Sequence, residues 1–426
     1  MRQGSSRVRA ASWAVLAAAT VCLVGAAAAD AAARTLYVSP AGRDSGSCTG
    51  QQPCKTITRA VQLAAPRDTV TVDAGLYTEG VAIAKRVALV GIGFPVIDAR
   101  GAPNGIRLEG PATTGSSVRG FVVEHATYEG ILALHTERVT IVGNVVSNND
   151  LGVFATPLTG ECAQAGYMPG ARSRAVAADL RAGGCGEGLH LLSTSHSQVV
   201  GNLVSANTGG IYLTDELGPA AHNVISNNRV LGNELDCGIT LASHSRHALG
   251  SNGKPRPNAG GVYANLVTGN VANGNGVRKP GSGILLAAAY PGGGAYDNRI
   301  LANKASGNGH AGVSLHSHWA GQDLNGNVIA GNVIGHNAIN GGHNGRPGDV
   351  DAHVTHTTGI LVWSAIRRLR GTRIYDNAIS DDYWGIWTRN VPPIQPRSNA
   401  YRRVHRGIHQ LRRSPNQAAA RELESG

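Results

Sequence analysis

Large aromatic side chains and long apolar runs are scarce in this sequence. Phenylalanine occurs 3 times and methionine 2 times among 426 residues, and aromatic residues make up 4% of the chain. The length alone would suggest two or three globular domains. This composition argues against them, because such a chain cannot build globular cores from large aromatic side chains. Glycine, at 58 residues, is abundant instead. The composition therefore favours a narrow, repetitive interior of branched apolar side chains with tight turns.

The one long apolar segment lies at the N-terminus. Arg2, Arg7 and Arg9 precede an alanine-rich run at 14–29 that ends in small residues. This pattern predicts a cleaved signal peptide over residues 1–33, and hence a secreted protein. No later stretch approaches the roughly 18 apolar residues of a spanning helix, so we expect no membrane span in the mature chain.

The cysteines fit an exported protein. Oxidising conditions favour disulfides between the closely spaced Cys48 and Cys54, and between Cys162 and Cys185, which bracket a loop. Cys237 precedes a strand and is predicted to be a packed free thiol. The net charge is +11, which outside the cell favours an anionic polysaccharide as partner. Several of these charges lie in a predicted disordered basic tail, residues 391–426, and no motif indicates specific nucleic-acid binding.

A glycine followed by a branched apolar residue recurs along the chain. Successive glycines are mostly 22 to 29 residues apart, the length of one coil, whereas the gaps of 45 and 47 hold two coils or one coil with a long loop. The series comprises Gly105, Gly130, Gly152, Gly188, Gly210, Gly238, Gly283, Gly312, Gly359 and Gly385.

Between these glycines, apolar residues alternate with asparagine, as in QVVGNLVSANTGG and HNVISNNRVLGN. Alternation with period two predicts short strands with one buried face, and stacked coils let asparagines pair with their equivalents one coil away. The sequence therefore predicts an all-β fold, a single-stranded right-handed parallel β-helix over residues 34–390. Residues 54–65 read as a short amphipathic helix that caps its N-terminal end.

Alignment of the strands at their glycines places even-numbered positions on the outer face, stacked about 4.8 Å apart. These columns carry imidazoles, carboxylates and a phenol, which together suit proton abstraction and return. The predicted catalytic residues are His190, Tyr212, Asp215, Glu216, His244 and His316.

The last coils add aromatic residues and an arginine to the same columns. Indole faces stack on sugar rings and a guanidinium binds carboxylates. The predicted substrate-binding residues are His318, Trp319, Trp363, Trp387 and Arg389. An equally open interpretation is that these tryptophans cover the C-terminal end of the core.

The sequence predicts no metal site and identifies no cofactor. His316 and His318 could face one metal, but no third ligand is visible beside them. Three insertions, at 155–187, 245–260 and 340–358, interrupt the coils and are expected to be functional, because long loops in compact repeats usually are.

The segment TLYVSPAGRDSGSCTGQQPCKTITRAVQLA, together with the coil repeats over residues 35 to about 390, resembles the pectate-lyase-like superfamily. That resemblance implies the β-helix fold. Its members include polysaccharide lyases, polygalacturonase-type hydrolases, mannuronan epimerases and β-helix proteins for nitrous oxide reductase maturation. The Asp-Pro-His-Asp motif of the epimerases, the calcium-binding aspartates of pectate lyases and the spaced aspartates of polygalacturonases are absent, so no catalytic residue is carried over.

The leading hypothesis is a monomeric enzyme that acts on a uronate-containing polysaccharide by β-elimination or epimerisation. A glycoside hydrolase using Asp215, Glu216 and Asp236 is a related alternative. A non-catalytic protein that binds glycans, or delivers copper through His316, is the alternative of another class.

Overall fold

The computed structural model describes residues 1, 32–153, 186–278, 280–317, 321–337, 356–364, 369–391 and 398–411. The fold belongs to the compact unit of residues 33–426. The predicted signal peptide and the predicted Cys162–Cys185 pair lie outside the described residues. In the described part of the chain, no helix is long and apolar enough to cross a membrane.

Within the residues just given, three parallel sheets of 11 strands each form the body of the solenoid. Sheet A consists, in spatial order, of β1 (Thr35–Val38), β2 (Thr69–Val72), β5 (Ala88–Gly91), β8 (Ser117–Arg119), β11 (Thr140–Val142), β14 (Gln198–Val200), β18 (Val224–Ser226), β22 (Leu266–Thr268), β26 (Arg299–Leu301), β29 (Val328–Ala330) and β32 (Arg373–Tyr375). Sheet B consists of β3 (Leu76–Tyr77), β6 (Val96–Asp98), β9 (Val122–Glu124), β12 (Val145–Ser147), β15 (Leu203–Ser205), β19 (Arg229–Leu231), β23 (Val271–Asn273), β27 (Lys304–Ser306), β30 (Val333–Gly335), β33 (Ala378–Ser380) and β35 (Ala400–Arg402).

Sheet C carries the candidate site. It consists of β4 (Val81–Ile83), β7 (Asn104–Glu109), β10 (Glu129–Leu134), β13 (Glu187–Leu192), β16 (Gly209–Thr214), β20 (Ile239–Ser243), β24 (Ile284–Ala288), β28 (Val313–Ser317), β31 (Thr358–Ser364), β34 (Trp384–Arg389) and β36 (Arg406–Leu411). A small sheet D adds β17 (Ala220–Ala221), β21 (Val262–Tyr263) and β25 (Ala295–Tyr296). Each turn of the chain adds one strand to sheets A, B and C, which confirms the predicted parallel β-helix.

The two long glycine gaps each hold one coil with an insertion. Between Gly238 and Gly283 the chain passes through β20, the insertion, β21, β22 and β23 before reaching β24. Between Gly312 and Gly359 the described residues pass through β28, β29 and β30 before reaching β31. The prediction at Gly152 is wrong, because this glycine lies in a turn and the next strand of sheet C begins at Glu187. Conversely, Gly80 precedes β4 and Gly407 lies in β36, so both carry the glycine signature outside the predicted series.

The interior is a continuous column of Val, Ile and Leu closed at the turns by asparagine ladders. In the turn before sheet B, Asn202 Nδ2 donates to Asn228 Oδ1 at 3.0 Å and also to the Ile141 carbonyl at 3.0 Å. The same pair of bonds repeats at Asn228, whose amide donates to Asn270 at 2.9 Å. This ladder satisfies buried amides on successive coils from Asn144 to Asn399, as predicted from the asparagine pattern.

The glycine column has a steric cause. A Cβ at Gly188 would lie 2.3 Å from Val204 Cγ1 and 2.8 Å from Asn207 Nδ2. A Cβ at Gly130 would lie 2.2 Å from Val146 Cγ1. Only glycine lets each strand of sheet C begin this close to the ladder and to the valine of its own coil.

At the N-terminal end, helix α1 (Ile57–Leu63) lies against the first strands. It is shorter than the predicted 54–65, and Thr56 Oγ1 caps it by accepting from Arg59 N at 3.2 Å. Ile57, Ala60 and Val61 join the main core. A short 3₁₀ turn spans Pro111–Thr113. The predicted Cys48–Cys54 disulfide is confirmed, and so is the buried free thiol of Cys237.

The solenoid continues beyond the predicted boundary at residue 390. Strand β35 pairs with β33, and β36 pairs with β34, so part of the predicted basic tail forms another coil. The ladder explains this extension, because Asn377 Nδ2 donates to Asn399 Oδ1 at 3.0 Å. The arginine-rich sequence of this coil concealed the repeat.

Candidate functional site

Five predicted catalytic residues come together on the outer face of sheet C. His190 on β13 is in register with Tyr212 on β16, and Tyr212 with Thr240 on β20. The turns after β16 and β20 bring further carboxylates and an imidazole to the same edge. The resulting polar cluster comprises Glu129, Glu187, His190, Tyr212, Thr214, Asp215, Glu216 and His244.

A phenol, an imidazole and a carboxylate form a hydrogen-bonded chain in this cluster. Tyr212 Oη lies 3.0 Å from His244 Nε2, and His244 Nδ1 lies 2.6 Å from Glu216 Oε1. Burial raises the pKa of Glu216, but the charge and hydrogen bond of His244 outweigh it, so the pKa lies below its ordinary value. When His244 is neutral, an ionised Glu216 holds its proton on Nδ1, so Nε2 can accept from the phenol; the imidazolium that then forms is the charged state that lowers the pKa of Glu216.

Asp215 holds the backbone that presents His244. Its carboxylate is fully enclosed and accepts hydrogen bonds from Ser243 Oγ at 2.8 Å, His244 N at 2.6 Å, Ser245 N at 2.9 Å and Gly261 N at 2.5 Å. Burial raises its pKa to about 6, against these hydrogen bonds. Since both oxygens are engaged by the chain itself, the geometry favours a positioning role for Asp215 over the predicted catalytic one.

A second imidazole–carboxylate pair lies on the other side of Tyr212. His190 Nδ1 is 3.1 Å from Glu129 Oε1, and His190 Nε2 is 2.9 Å from Thr214 Oγ1. Both side chains are buried, with exposed fractions of 2% for His190 and 0% for Glu129. The imidazole ring also lies 4.9 Å from the ring of Tyr212.

Glu129 and Glu187 were not predicted from the sequence. Both directly precede the glycine of their strand, in YEGIL and GEGLH, whereas the columns considered began after the glycine. On β10 and β13 this preceding position also faces outward, and Asn104 Nδ2 on β7 donates to Glu129 Oε2 at 2.8 Å. The repeated Glu-Gly pair is the signal that could have identified them.

The remaining predicted residues lie far from the polar cluster. His316 is on β28 and Arg389 on β34, three and five strands from Tyr212, or roughly 14 and 24 Å at about 4.8 Å per strand. Leu285 and Ala287 on β24 separate the two groups. His318 and Trp319 lie outside the described residues.

The tryptophans at outward positions on β31 and β34 are buried against other side chains rather than exposed to solvent. Trp363 and Trp387 are 3% and 2% exposed and form an apolar group with Leu361 and Ala311. The Arg389 guanidinium lies 5.9 Å from the centre of the Trp363 ring. These contacts favour a packing role for the tryptophans over stacking on sugars. The group is separate from the main core, however, so the alternative in which they cover the end of that core stays a prediction.

A groove of about 430 Å³ lies beside the polar cluster. It begins at Leu217, the residue after Glu216, and crosses the coils of β7, β10, β13 and β16. Four of its lining residues carry hydroxyl groups and one carries an amide; the lining comprises Pro111, Thr114, His135, Thr136, Glu137, Ser193, Ser195, Leu217, Gly218, Pro219 and Asn258.

One group in the described part of the chain has ligand atoms close enough to hold a metal ion. It comprises Glu129, Glu187 and His190, whose ligand atoms lie within 4.8 Å of one another. Two carboxylates and one imidazole suit a hard cation better than copper.

Comparisons with known proteins agree with this architecture. The family model described as periplasmic copper-binding protein (NosD) matches residues 170–337, and a model of a protein family of unknown function, DUF1565, matches residues 40–91. Each covers less than half of the chain. No curated protein matches the chain significantly by sequence.

Solved structures give broader matches. Pectate lyase Pel9A aligns with a TM-score of 0.52 at 15% identity, covering 86% of this chain and 79% of its own. The A-module of mannuronan C-5 epimerase AlgE4 from Azotobacter vinelandii aligns with a TM-score of 0.49 at 16% identity, covering 82% and 91%. At these identities the likeness concerns the fold. The chain is a right-handed parallel β-helix protein, and its fold is similar to that of a pectate lyase.

Proposed function

We propose that this protein acts on a uronate-containing polysaccharide by abstracting and returning a proton, in β-elimination or epimerisation. The observation that carries the proposal is the Tyr212–His244–Glu216 chain, in which a phenol can lose its proton to an imidazole fixed by a carboxylate. The fold shared with a pectate lyase is consistent with this chemistry but does not establish it.

Both reactions begin with the same step. The ionised phenol of Tyr212 removes the sugar-ring proton beside the uronate carboxylate, and the electron pair left behind spreads into that carboxylate. In elimination the pair then forms a carbon–carbon double bond, the neighbouring glycosidic C–O bond breaks, and the departing oxygen takes up a proton. In epimerisation a proton returns to the same carbon on the opposite face. In either case His244 would move protons to and from Tyr212.

Positive charge near the Tyr212–His244–Glu216 chain supports an acidic substrate. The insertion 245–260 carries Arg246, Lys254 and Arg256 and contains no Asp or Glu. The exposed Arg246 guanidinium stacks on the Tyr290 ring at 4.1 Å, and Asp215 fixes both ends of this insertion. A guanidinium so placed could bind a uronate carboxylate and stabilise the charge that develops on it. The adjacent groove offers hydroxyl groups for the flanking sugars.

The experiment is a panel of uronans incubated in D₂O. Elimination would give an unsaturated product absorbing near 235 nm, whereas epimerisation would place deuterium on the ring carbon without chain cleavage. Tyr212→Phe should abolish both signals while leaving the circular dichroism unchanged. Absence of both signals across the panel for the wild-type chain would reject the proposal.

A copper-binding function is the second candidate, because the copper-binding family model spans the coils from residue 170 to residue 337. His316 lies within that range. Titration with Cu(I) and Cu(II), followed by metal analysis after gel filtration, tests it. Stoichiometric copper that is lost in His316→Ala but kept in Tyr212→Phe would favour this function over the enzymatic one.

A further inference from the structure

We infer that the last described coil of the solenoid, residues 398–411, is a second binding surface for an anionic polysaccharide. This surface is called the basic end coil. The identity of the polymer rests on the proposed function, but binding at the surface can be measured without any turnover. Strand β36 lies six strands from β16, which carries Tyr212, or about 29 Å away at about 4.8 Å per strand.

The basic end coil carries more positive charge than its neighbours neutralise. Its sequence, SNAYRRVHRGIHQL, contains three arginines and no Asp or Glu. Arg403 forms a bidentate pair with Asp381 of the preceding coil, at 2.5 and 2.8 Å. Arg402 and Arg406 are exposed, and neither forms an ion pair with another described residue. Two guanidinium groups are therefore available to carboxylates of a partner.

The position of this coil adds backbone donors to the two guanidinium groups. Strand β35, which carries Arg402, is the outermost strand of sheet B, and in the part of the chain that the structure describes no strand pairs with its outer edge. Backbone N–H groups at such an edge can donate to carboxylate and hydroxyl oxygens. An anionic polymer rich in hydroxyl groups matches this combination of donors.

The aromatic rings beside the arginines are covered by other rings and by a guanidinium. Tyr383 is stacked between His356 and His405, with ring centres 4.0 and 4.4 Å away. The Arg406 guanidinium lies over the Trp384 ring at 5.7 Å. Single-stranded nucleic acids and neutral sugars stack on free ring faces. Because these faces are covered, charge and hydrogen bonding dominate at this surface, which favours a polyuronate over a nucleic acid.

The distance between the two surfaces makes the effect depend on the length of the polymer. A chain that reaches both surfaces binds the second one intramolecularly, which increases its overall affinity. If one sugar advances about one coil spacing, a chain of about six residues or more can span the two surfaces. Shorter oligomers occupy one surface at a time, so the basic end coil should not change their turnover at the polar cluster.

The test compares two double variants of the full chain that remove the same charge. Arg402→Gln/Arg406→Gln alters the basic end coil, and the matched control Arg229→Gln/Arg299→Gln alters exposed arginines on β19 and β26. Isothermal titration calorimetry measures binding of polygalacturonate and alginate at low salt.

The end-coil variant should bind the long polymers about tenfold more weakly than the wild type, whereas the control variant should bind them nearly as well. The difference should shrink as salt is added. Turnover of a uronate trimer should be the same in all three proteins.

Equal affinity of the wild type and the end-coil variant for the long polymers, with native circular dichroism, would overturn the inference. Tighter binding of single-stranded DNA than of polygalacturonate would overturn the assignment to a polysaccharide. New self-association without loss of uronan binding would show that the arginines only keep the sheet edge from pairing with other chains.

Two further outcomes separate this inference from the proposed function. Turnover of a uronan, with binding unchanged in the end-coil variant, would reject this inference alone. Binding that is lost in the end-coil variant, without turnover of any uronan by the wild type, would support the second surface and reject the proposed function.

Discussion

Equivalent outward positions carry different kinds of side chain at the two ends of sheet C. From β10 to β20 the outward positions carry ionisable groups that bond to one another, such as Tyr212 with His244 and His190 with Glu129. From β28 to β34 the same positions carry His316, Leu361 and Trp387, which is 2% exposed. Position in the repeat therefore predicts where a side chain points but not what it does.

The difference between the two regions concerns how each one accommodates its buried side chains. Desolvated carboxylates and imidazoles cost folding free energy unless they are paired. The region from β10 to β20, here called the polar half, pairs them in two imidazole–carboxylate units on either side of Tyr212. The region from β28 to β34, here called the aromatic half, gains free energy of folding by burying indole rings. We therefore expect substitutions in the polar half to affect activity and those in the aromatic half to affect stability.

The largest expected effect is on activity, from Tyr212→Phe. Loss of the phenolic oxygen removes the proposed base, and turnover of the uronan substrate should fall roughly 10²- to 10⁴-fold. The melting temperature should change little, because the aromatic ring remains. Initial rates and thermal melts measure the two quantities side by side, and a large loss of stability with retained turnover would contradict the comparison.

Trp387→Ala should give the opposite result. A fully buried indole contributes about 3 to 5 kcal/mol to the free energy of unfolding, and Trp387 packs against Trp363 and Leu361. Urea denaturation measures the loss, and kcat should stay near the wild-type value because the site lies about 24 Å away. A fall in kcat as large as that of Tyr212→Phe would instead support the predicted role of Trp387 in substrate binding.

The sequence predicted the coils well and the site only in part. Glycine spacing and asparagine alternation are local patterns, and they located every strand of sheet C from Gly105 to Gly385, with one false position at Gly152. Glu129 and His190, by contrast, are 61 residues apart and meet because a long insertion separates two adjacent coils. The sequence also assigned Trp363, Trp387 and Arg389 to substrate binding, because position in the repeat gives the direction of a side chain but not the packing that buries it.

Asp215→Asn should have an intermediate effect. An amide cannot accept all four of the bonds that fix Ser243, His244, Ser245 and Gly261. His244 would then be less well oriented, and kcat should fall about tenfold with a moderate rise in KM. Steady-state kinetics measure this change. A loss as complete as that of Tyr212→Phe would show that Asp215 itself takes part in the chemistry, as first predicted.

The smallest effect is expected at a buried carboxyl that lies outside both imidazole–carboxylate units. Asp382 replaces asparagine at the last described rung of a ladder, where it accepts from Asn337 N at 2.7 Å. In the preceding rungs the amide donates to a carbonyl, as Asn337 does to Ala305 O at 3.2 Å. At Asp382 the equivalent atom, Oδ2, is an oxygen with no hydrogen-bond partner among the described residues. Burial raises the pKa of Asp382 to about 7.

Because the folded pKa lies above the ordinary value of 3.8, protonation stabilises the folded state at low pH. That contribution is lost as the pH rises from about 4 to about 7. Asp382→Asn should therefore add about 1 to 2 kcal/mol to the free energy of unfolding at pH 8 and little at pH 4. Asn332→Asp, in the parallel ladder, places a carboxylate against the Ile300 carbonyl and should lower stability over the same pH range. If the Asp382→Asn variant and the wild type unfold alike at pH 8, this carboxyl has a partner after all, as do the carboxylates of the polar half.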